Sequence, residues 1–440
     1  MEFKILTLKL KSELISFMYK KFILKNGITV LDVPMPQTNA CTVLVLVKVG
    51  SRYESKKING ASHFLEHLFF KGTKKRPTTL SLSKELDSVG AEFNAFTSKN
   101  VTGFYVKINY ENLELAIDLL SDMLLNSTFK EQEIMREKKV IIEEINMYED
   151  NPMMYVEDIF EEIVFKNNSL AWKISGEKKD IENMERKDLL DYKNKYYFAE
   201  NIFISVAGKT DGRLESLLNK YFVTDKIKSK NKNAPFENFS SFQKKPQCKV
   251  IYKDTEQVQL AMGFPSFSYN NKNMPALSLL SIILGGNMSS RLFIKVRERR
   301  GLAYFVRTNI NTYEDTGSFM IQAGLDKSRV NEAIKVILEE LKNIVKEGVK
   351  PAELEKAKQF IKGKLILDLE DSLHLAEWFA KQTIYTEELK TPEQKFELLQ
   401  KVTLGQIKKV AGQILKQQKL NLAVIGPFKE EKDFIDLLKM

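Results

Sequence analysis

The sequence predicts an α+β protein of two homologous domains, each a mainly antiparallel sheet with helices packed on one face. Three observations predict it. The chain has 440 residues, too many for one ordinary domain. Paired β-rich runs are mixed with segments of helical period. The order of elements also recurs: Asn201–Gly208 followed by Arg213–Phe222 is mirrored by Asn421–Gly426 and an acidic helix, and the strand and helix of 103–125 by those of 318–345. A repeat of about two hundred residues is a whole domain and not a solenoid unit. The expected layout is an N-terminal extension at 1–17, a first domain at 18–224, a linker at 225–247 and a second domain at 248–440. The linker is rich in lysine, asparagine and serine and carries Pro235 and Pro246.

The elements follow in order. Asn26-Gly27 between two β-rich runs signals a hairpin. Cys41–Val49 is a nearly continuous apolar, β-branched run, the pattern of a buried strand. A helix opens near Gly60-Ala61-Ser62, with Ser62 as its expected N-cap, and stops at Lys71-Gly72-Thr73. Ser81–Ser88 reads as a helix ended by Gly90. Glu92–Ser98 and Thr102–Ile108 read as partner strands. Helices are expected at Asn112–Leu125, at Lys130–Asp150 before Pro152, and at 153–165 and 184–197. In the second half, Gln257–Gly263 and Ser318–Ala323 read as strands and Met274–Leu284 and Val330–Val345 as helices.

Hydrophobic residues make up 43% and charged residues 29%, the balance of a globular protein. The net charge of +10 comes from lysines scattered along the chain, with no aromatic-interleaved basic cluster, so no nucleic-acid partner is expected. The longest apolar runs, such as Thr42–Val47, fall far short of the roughly 20 residues of a membrane span, so no membrane partner is expected either. Cys41 and Cys248 form no disulfide framework, which favours a reducing, cytoplasmic setting over a periplasmic one. Residues 1–17 lack the cleavage site of a signal peptide and the arginines of a transit peptide, and Met18 is an alternative start.

His63-Phe64-Leu65-Glu66-His67 holds two of the three histidines in the chain. On a helix His63, Glu66 and His67 share one face. Two imidazoles at i and i+4 suit Zn²⁺, and the carboxylate between them is left to activate a water. H-x-x-E-H is the inverzincin signature. A catalytic zinc needs a third protein ligand and an open position. With only His374 left, a carboxylate is the natural candidate. Stepping about 100° per residue along Lys130–Asp150 puts Glu143 in a narrow polar sector. Glu137 and Glu144 fall instead on a wide apolar arc with Ile134, Met135, Val140, Ile141, Ile145 and Met147. Lys138 falls there too, so a Glu–Lys ion pair is the structural alternative. Glu144 is the expected third ligand, and Glu137 is expected to orient a ligand or the water. The second half has no such motif, its matching helix near Pro275–Leu284 being apolar.

The stretch Gly60–Thr73, GASHFLEHLFFKGT, and Glu137–Ile145, EKKVIIEEI, resemble the pitrilysin/insulysin clan of metallopeptidases, closest to its half-length branch with the mitochondrial processing peptidase β subunit and bacterial relatives. The resemblance runs from about Met18 to the end of the chain. It implies one zinc ion per chain on His63, His67 and Glu144, with Glu66 as general base and Glu137 as an additional glutamate. It also implies that Gly90–Thr97, GAEFNAFT, is an edge strand to which an extended peptide adds, with Asn94 and Ala95 beside the substrate backbone. Ser290–Tyr304, SRLFIKVRERRGLAY, resembles the segment whose arginine and tyrosine, here Arg297 and Tyr304, reach the substrate. Relatives that read an arginine near the cleavage site use two acidic residues where this chain has Met154 and Asp158. Presequence-like specificity would then rest on Asp158, or on a different acidic patch from Glu157, Glu161 and Glu162. The resemblance implies a peptidase acting on unfolded polypeptide in a closed chamber, as a homodimer or a heterodimer with a homologous chain. A catalytically silent scaffold or partner subunit of the same fold is the alternative.

Overall fold

The computed structural model describes residues 19–227, 230 and 235–440; the expected extension at 1–17 and part of the linker lie outside them. Two compact units form. One comprises the described residues up to Ile145, those of 173–236 and Leu365–Thr391, and the other Asn146–Trp172, Glu237–Lys364 and Pro392–Met440. The strands of each unit stay in their own half of the sequence, whereas residues 146–172 and 365–391 fold with the opposite half.

In the first unit, β1 (Lys20–Ile23), β2 (Thr29–Pro34), β3 (Ala40–Val47), β4 (Glu92–Thr97), β5 (Thr102–Asn109) and β6 (Ile202–Gly208) form one sheet in the order β1-β2-β6-β3-β5-β4. The Asn26-Gly27 turn pairs β1 antiparallel to β2, Lys20 against Asp32. β6 runs parallel to β2, and the other pairs are antiparallel. In the second unit, β7 (Gln247–Tyr252), β8 (Gln257–Ser266), β9 (Ala303–Thr312), β10 (Gly317–Asp326) and β11 (Asn421–Gly426) follow the order β7-β11-β8-β10-β9. Here β11 is parallel to β7 and the rest antiparallel. Setting β2-β6-β3-β5-β4 against β7-β11-β8-β10-β9 gives the same order with the one parallel pair in the same place. The α+β duplication expected from sequence is therefore present, down to strand direction.

β3 explains the layering. Seven of its eight residues are buried, and a strand buried throughout needs cover on both faces. Cys41, Val43, Val45 and Val47 join the core beneath the helices Leu113–Asn126, Arg186–Tyr196 and Leu214–Phe222. Leu44 and Leu46 pack with Leu31 and Val33 against Ala376, Phe379, Ala380 and Ile384 of the helix Ser372–Tyr385. The second unit repeats the arrangement: Val156, Ile159 and Phe160 of the helix Pro152–Val164 meet Ala261, Met320, Ala423 and Ile425 of its sheet. The helices expected on one face are joined by a crossing helix on the other. Among the described residues no helix is long and apolar enough to cross a membrane.

The motif helix, Ala61–Phe69, begins differently from the sequence expectation. Gly60 precedes it at φ 97°, and Ser62 is its second residue, its Oγ lying 2.8 Å from Tyr192 Oη and not capping the helix. At its far end Gly72, at φ 114°, turns the chain into a buried ion cluster. The Arg76 side chain is 2% exposed; it reaches Glu85 at 2.7 Å, Asp118 at 2.8 Å and Asp122 at 3.1 Å, and Thr73 Oγ1 donates to Asp122 at 2.6 Å. Burial works to raise Asp118, but its bonds to Arg76 and Lys75 outweigh it and hold the carboxyl below its ordinary range. Removing Arg76 takes the guanidinium from the buried Asp122, which keeps Thr73, and from the half-buried Asp118, which keeps Lys75, so Arg76→Met should cost about 3–5 kcal/mol in denaturant unfolding. A depressed carboxylate contributes stability above its unfolded pKa and loses it as pH falls through the folded value. The penalty of Arg76→Met should therefore shrink on acidification below the ordinary aspartate value of 3.8.

Candidate metal centre

Two helices of the first unit bring the expected ligands together. His63 and His67 lie one turn apart on the motif helix, and Glu137 and Glu144 two turns apart on Glu131–Asp150. The Nε2 atoms of His63 and His67 are 3.3 Å apart. Glu144 Oε2 lies 3.6 Å from His63 Nε2 and 3.3 Å from His67 Nε2. In a tetrahedron the edge is about 1.6 times the metal–ligand bond, so zinc bonds of about 2.0–2.2 Å need donors about 3.3–3.6 Å apart. The triangle has that size and leaves a fourth vertex. Among the described residues it is the one group of three or more side chains with this capacity.

Glu143 is exposed, whereas Glu144 is half-buried and Glu137 buried. The buried stripe of their helix is narrower than the sequence arc: Ile134, Ile141 and Ile145 are covered, but Met135, Val140 and Met147 are exposed. Lys138 reaches the carbonyl of Glu182 at 2.7 Å, so it pairs with neither glutamate. Glu137 pairs instead with Lys71 at 2.9 Å, and its other oxygen lies 3.2 Å from His67 Nδ1. That bond keeps a proton on Nδ1 and directs Nε2 at the triangle. His63 has no equivalent: its Nδ1 is buried with no hydrogen-bond partner among the described residues.

The charges follow this asymmetry. Burial, then the neighbouring His67, lowers His63 to about 4. Burial also works against a charged His67, but the hydrogen bonds to Glu137 and Glu144 outweigh it and raise that imidazole to about 9. Glu66 is raised by burial, against the opposing hydrogen bond from Thr97 Oγ1 at 2.6 Å. Thr97, which the sequence reading did not single out, is the last residue of β4 and ties the motif carboxylate to that edge strand.

Asn94 and Ala95 lie on β4, Asn94 exposed and Ala95 half-buried; Asn94 Oδ1 accepts from the Ala95 N–H at 2.9 Å. Arg297 and Tyr304 belong to the second unit, where the guanidinium lies 5.7 Å from the Tyr304 ring and that ring is 71% exposed. Asp158 is half-buried on Pro152–Val164. The alternative acidic patch does not stand free. Glu157 pairs with Arg307 at 3.3 Å, Glu161 accepts from Tyr313 Oη at 2.5 Å, and Glu162 pairs with Lys249 at 2.6 Å. His374 is exposed, its Nδ1 3.0 Å from the Asp368 carbonyl.

The sequence family described as Insulinase (Peptidase family M16) matches residues 29–178, and Peptidase M16 inactive domain matches 183–361. A Bacillus subtilis chain named "Uncharacterized zinc protease YmxG" is 34% identical over 93% of this chain and 98% of its own length. The chain belongs to peptidase family M16. A Rickettsia bellii member named "Uncharacterized zinc protease" is 36% identical over 92% of this chain and 96% of its own length, so these M16 relatives share its half-length format. The crystal structure of a protease from Helicobacter pylori superposes with a TM-score of 0.87 at 26% identity, covering 93% of this chain and 99% of that one.

The donor set fits zinc, and each residue has a testable share. In calorimetric titration with zinc, Glu144→Gln should abolish tight binding and Glu143→Gln should leave it unchanged. Glu137→Gln should weaken it about 10–100-fold, the usual effect of losing a ligand's orienting partner.

Proposed function

We propose that the chain is a zinc-dependent endopeptidase that cleaves extended, unfolded polypeptide, with one zinc ion per chain on His63, His67 and Glu144. The observation that carries this reading is the donor triangle with Glu66 beside it. A structural site would close the fourth position and needs no adjacent carboxylate, whereas a hydrolytic one needs that position open and a base beside it. Family membership and relatives named zinc proteases support the same reading.

Zinc bound there supplies an acidified water and a Lewis acid for the scissile carbonyl. Glu66 takes the proton from the attacking water and returns it to the leaving amine. Burial raises its proton affinity, which favours taking the proton from the water. Glu137, held by Lys71, fixes the His67 ring through its Nδ1–H. β4, at the end of its sheet, gives the substrate an edge to extend. Asn94 Oδ1 covers the Ala95 amide, and an added peptide strand has to displace it. Arg297 and Tyr304 are assigned by resemblance as donors to the substrate carbonyl. From the same resemblance, two chains of this length pair, as a homodimer or with a homologous partner, around the substrate.

Glu66→Gln should keep full zinc content and lose about 10²–10⁴-fold in turnover of a quenched peptide library. Chelation should abolish wild-type turnover and added zinc restore it. Stoichiometric zinc in a wild-type protein that cleaves no unfolded peptide, alone or paired, overturns the reading.

A further inference from the structure

We infer that Glu54 is a positioning residue for the metal centre, clamping the first turn of the motif helix so that His63 presents its nitrogen at the ligand triangle. This rests on the zinc reading above. Glu54 lies in the loop before the helix and is 6% exposed. Its Oε1 accepts from the Ser62 N–H at 2.7 Å; its Oε2 accepts from the Gly60 N–H at 2.7 Å and from Asn59 Nδ2 at 3.0 Å. The N–H groups that open a helix have no partner within it and carry partial positive charge, so a buried carboxylate there is held by the helix and holds it in return.

A helix is usually capped by the side chain of the residue at its start. Here that residue is Gly60, which has none and accepts none: a Cβ in its place would meet Ser175 O and Ile181 Cδ1, each at 2.7 Å. The cap therefore comes from outside, six residues upstream of Gly60. A second strut fixes the same turn: Ser62 Oγ lies 2.8 Å from Tyr192 Oη, which donates to the Gly50 carbonyl at 3.1 Å.

His63 is the residue that needs this. His67 is oriented through Nδ1 by Glu137, but His63 Nδ1 has no such partner, so its position depends on the backbone that carries it. It directly follows Ser62, whose N–H Glu54 holds. Zinc–ligand distances tolerate deviations of about 0.2 Å, so a small tilt of the first turn is felt at the triangle.

Glu54→Gln keeps the size but turns an amide NH₂ toward one of the two helix N–H groups. The test compares zinc dissociation constants, from competition with a chromogenic chelator, for the full-length wild type, Glu54→Gln and Asp371→Ala. The last removes the N-cap of Ser372–Tyr385 in the same unit and touches neither the motif helix nor the ligands. Unfolding of each zinc-free protein is measured alongside. The inference predicts zinc binding at least about 10-fold weaker for Glu54→Gln, and an Asp371→Ala constant within about twofold of wild type. Glu54→Gln binding zinc as wild type does, or no worse than Asp371→Ala at equal loss of stability, overturns it. Wild type that binds no zinc overturns the zinc reading itself. If Glu54→Gln fails to fold, the same comparison is made with Glu54→Asp, which keeps the charge but cannot span both amides.

Discussion

Carboxylates and imidazoles crowded into a half-buried space are costly unless a cation or hydrogen bonds compensate each of them, and the centre of the first unit is built under that constraint. Glu66, Glu137 and Glu144 converge on two histidines, and the charges are balanced in a definite order. Lys71 neutralises Glu137, Glu137 orients His67, and His67 and His63 face Glu144 across a gap of tetrahedral size. Each group is costly alone and stable in sequence, as buried polar networks are when every member has a partner. His63 is the exception, and the helix backbone positions it.

The rigidity this requires comes from the layers. β3, covered on both faces, fixes the sheet from which β4 and β5 extend. β4 in turn presents Thr97 to Glu66, so the edge strand and the motif carboxylate are held by one hydrogen bond. The second unit repeats the strand order with no matching donor group among the described residues. Its helix Met274–Gly285 has eight of twelve residues buried, mostly aliphatic, where the first unit has histidines. The histidine–glutamate triangle lies in one copy and the Arg297–Tyr304 pair in the other.

Much of this was legible in the residues. The hairpin at Asn26-Gly27, the buried run of β3, the repeated strand–helix units and the candidate donor group all follow from local pattern. Glu144 was separable from Glu143 by helix period alone, because one residue moves a side chain about 100° around the axis. What escaped reading was non-local. The arc on Glu131–Asp150 came out too wide because Met135, Val140 and Met147 are apolar yet exposed, and composition does not say which side of a helix is covered. The crossing helices at 152–164 and 372–385 carry no mark of the sheet they join. Ser62 looked like a cap, and only the left-handed turn at Gly60 hands that role to Glu54, a residue no periodicity connects to the helix.

The central claim is the ligand set, and X-ray absorption at the zinc edge of the loaded chain tests it most directly. The account predicts a shell of nitrogen and oxygen at about 2.0–2.2 Å with scattering from two imidazoles, falling to one imidazole in His63→Ala. Sulfur at about 2.3 Å, or a shell unchanged when both motif histidines are replaced, would contradict it.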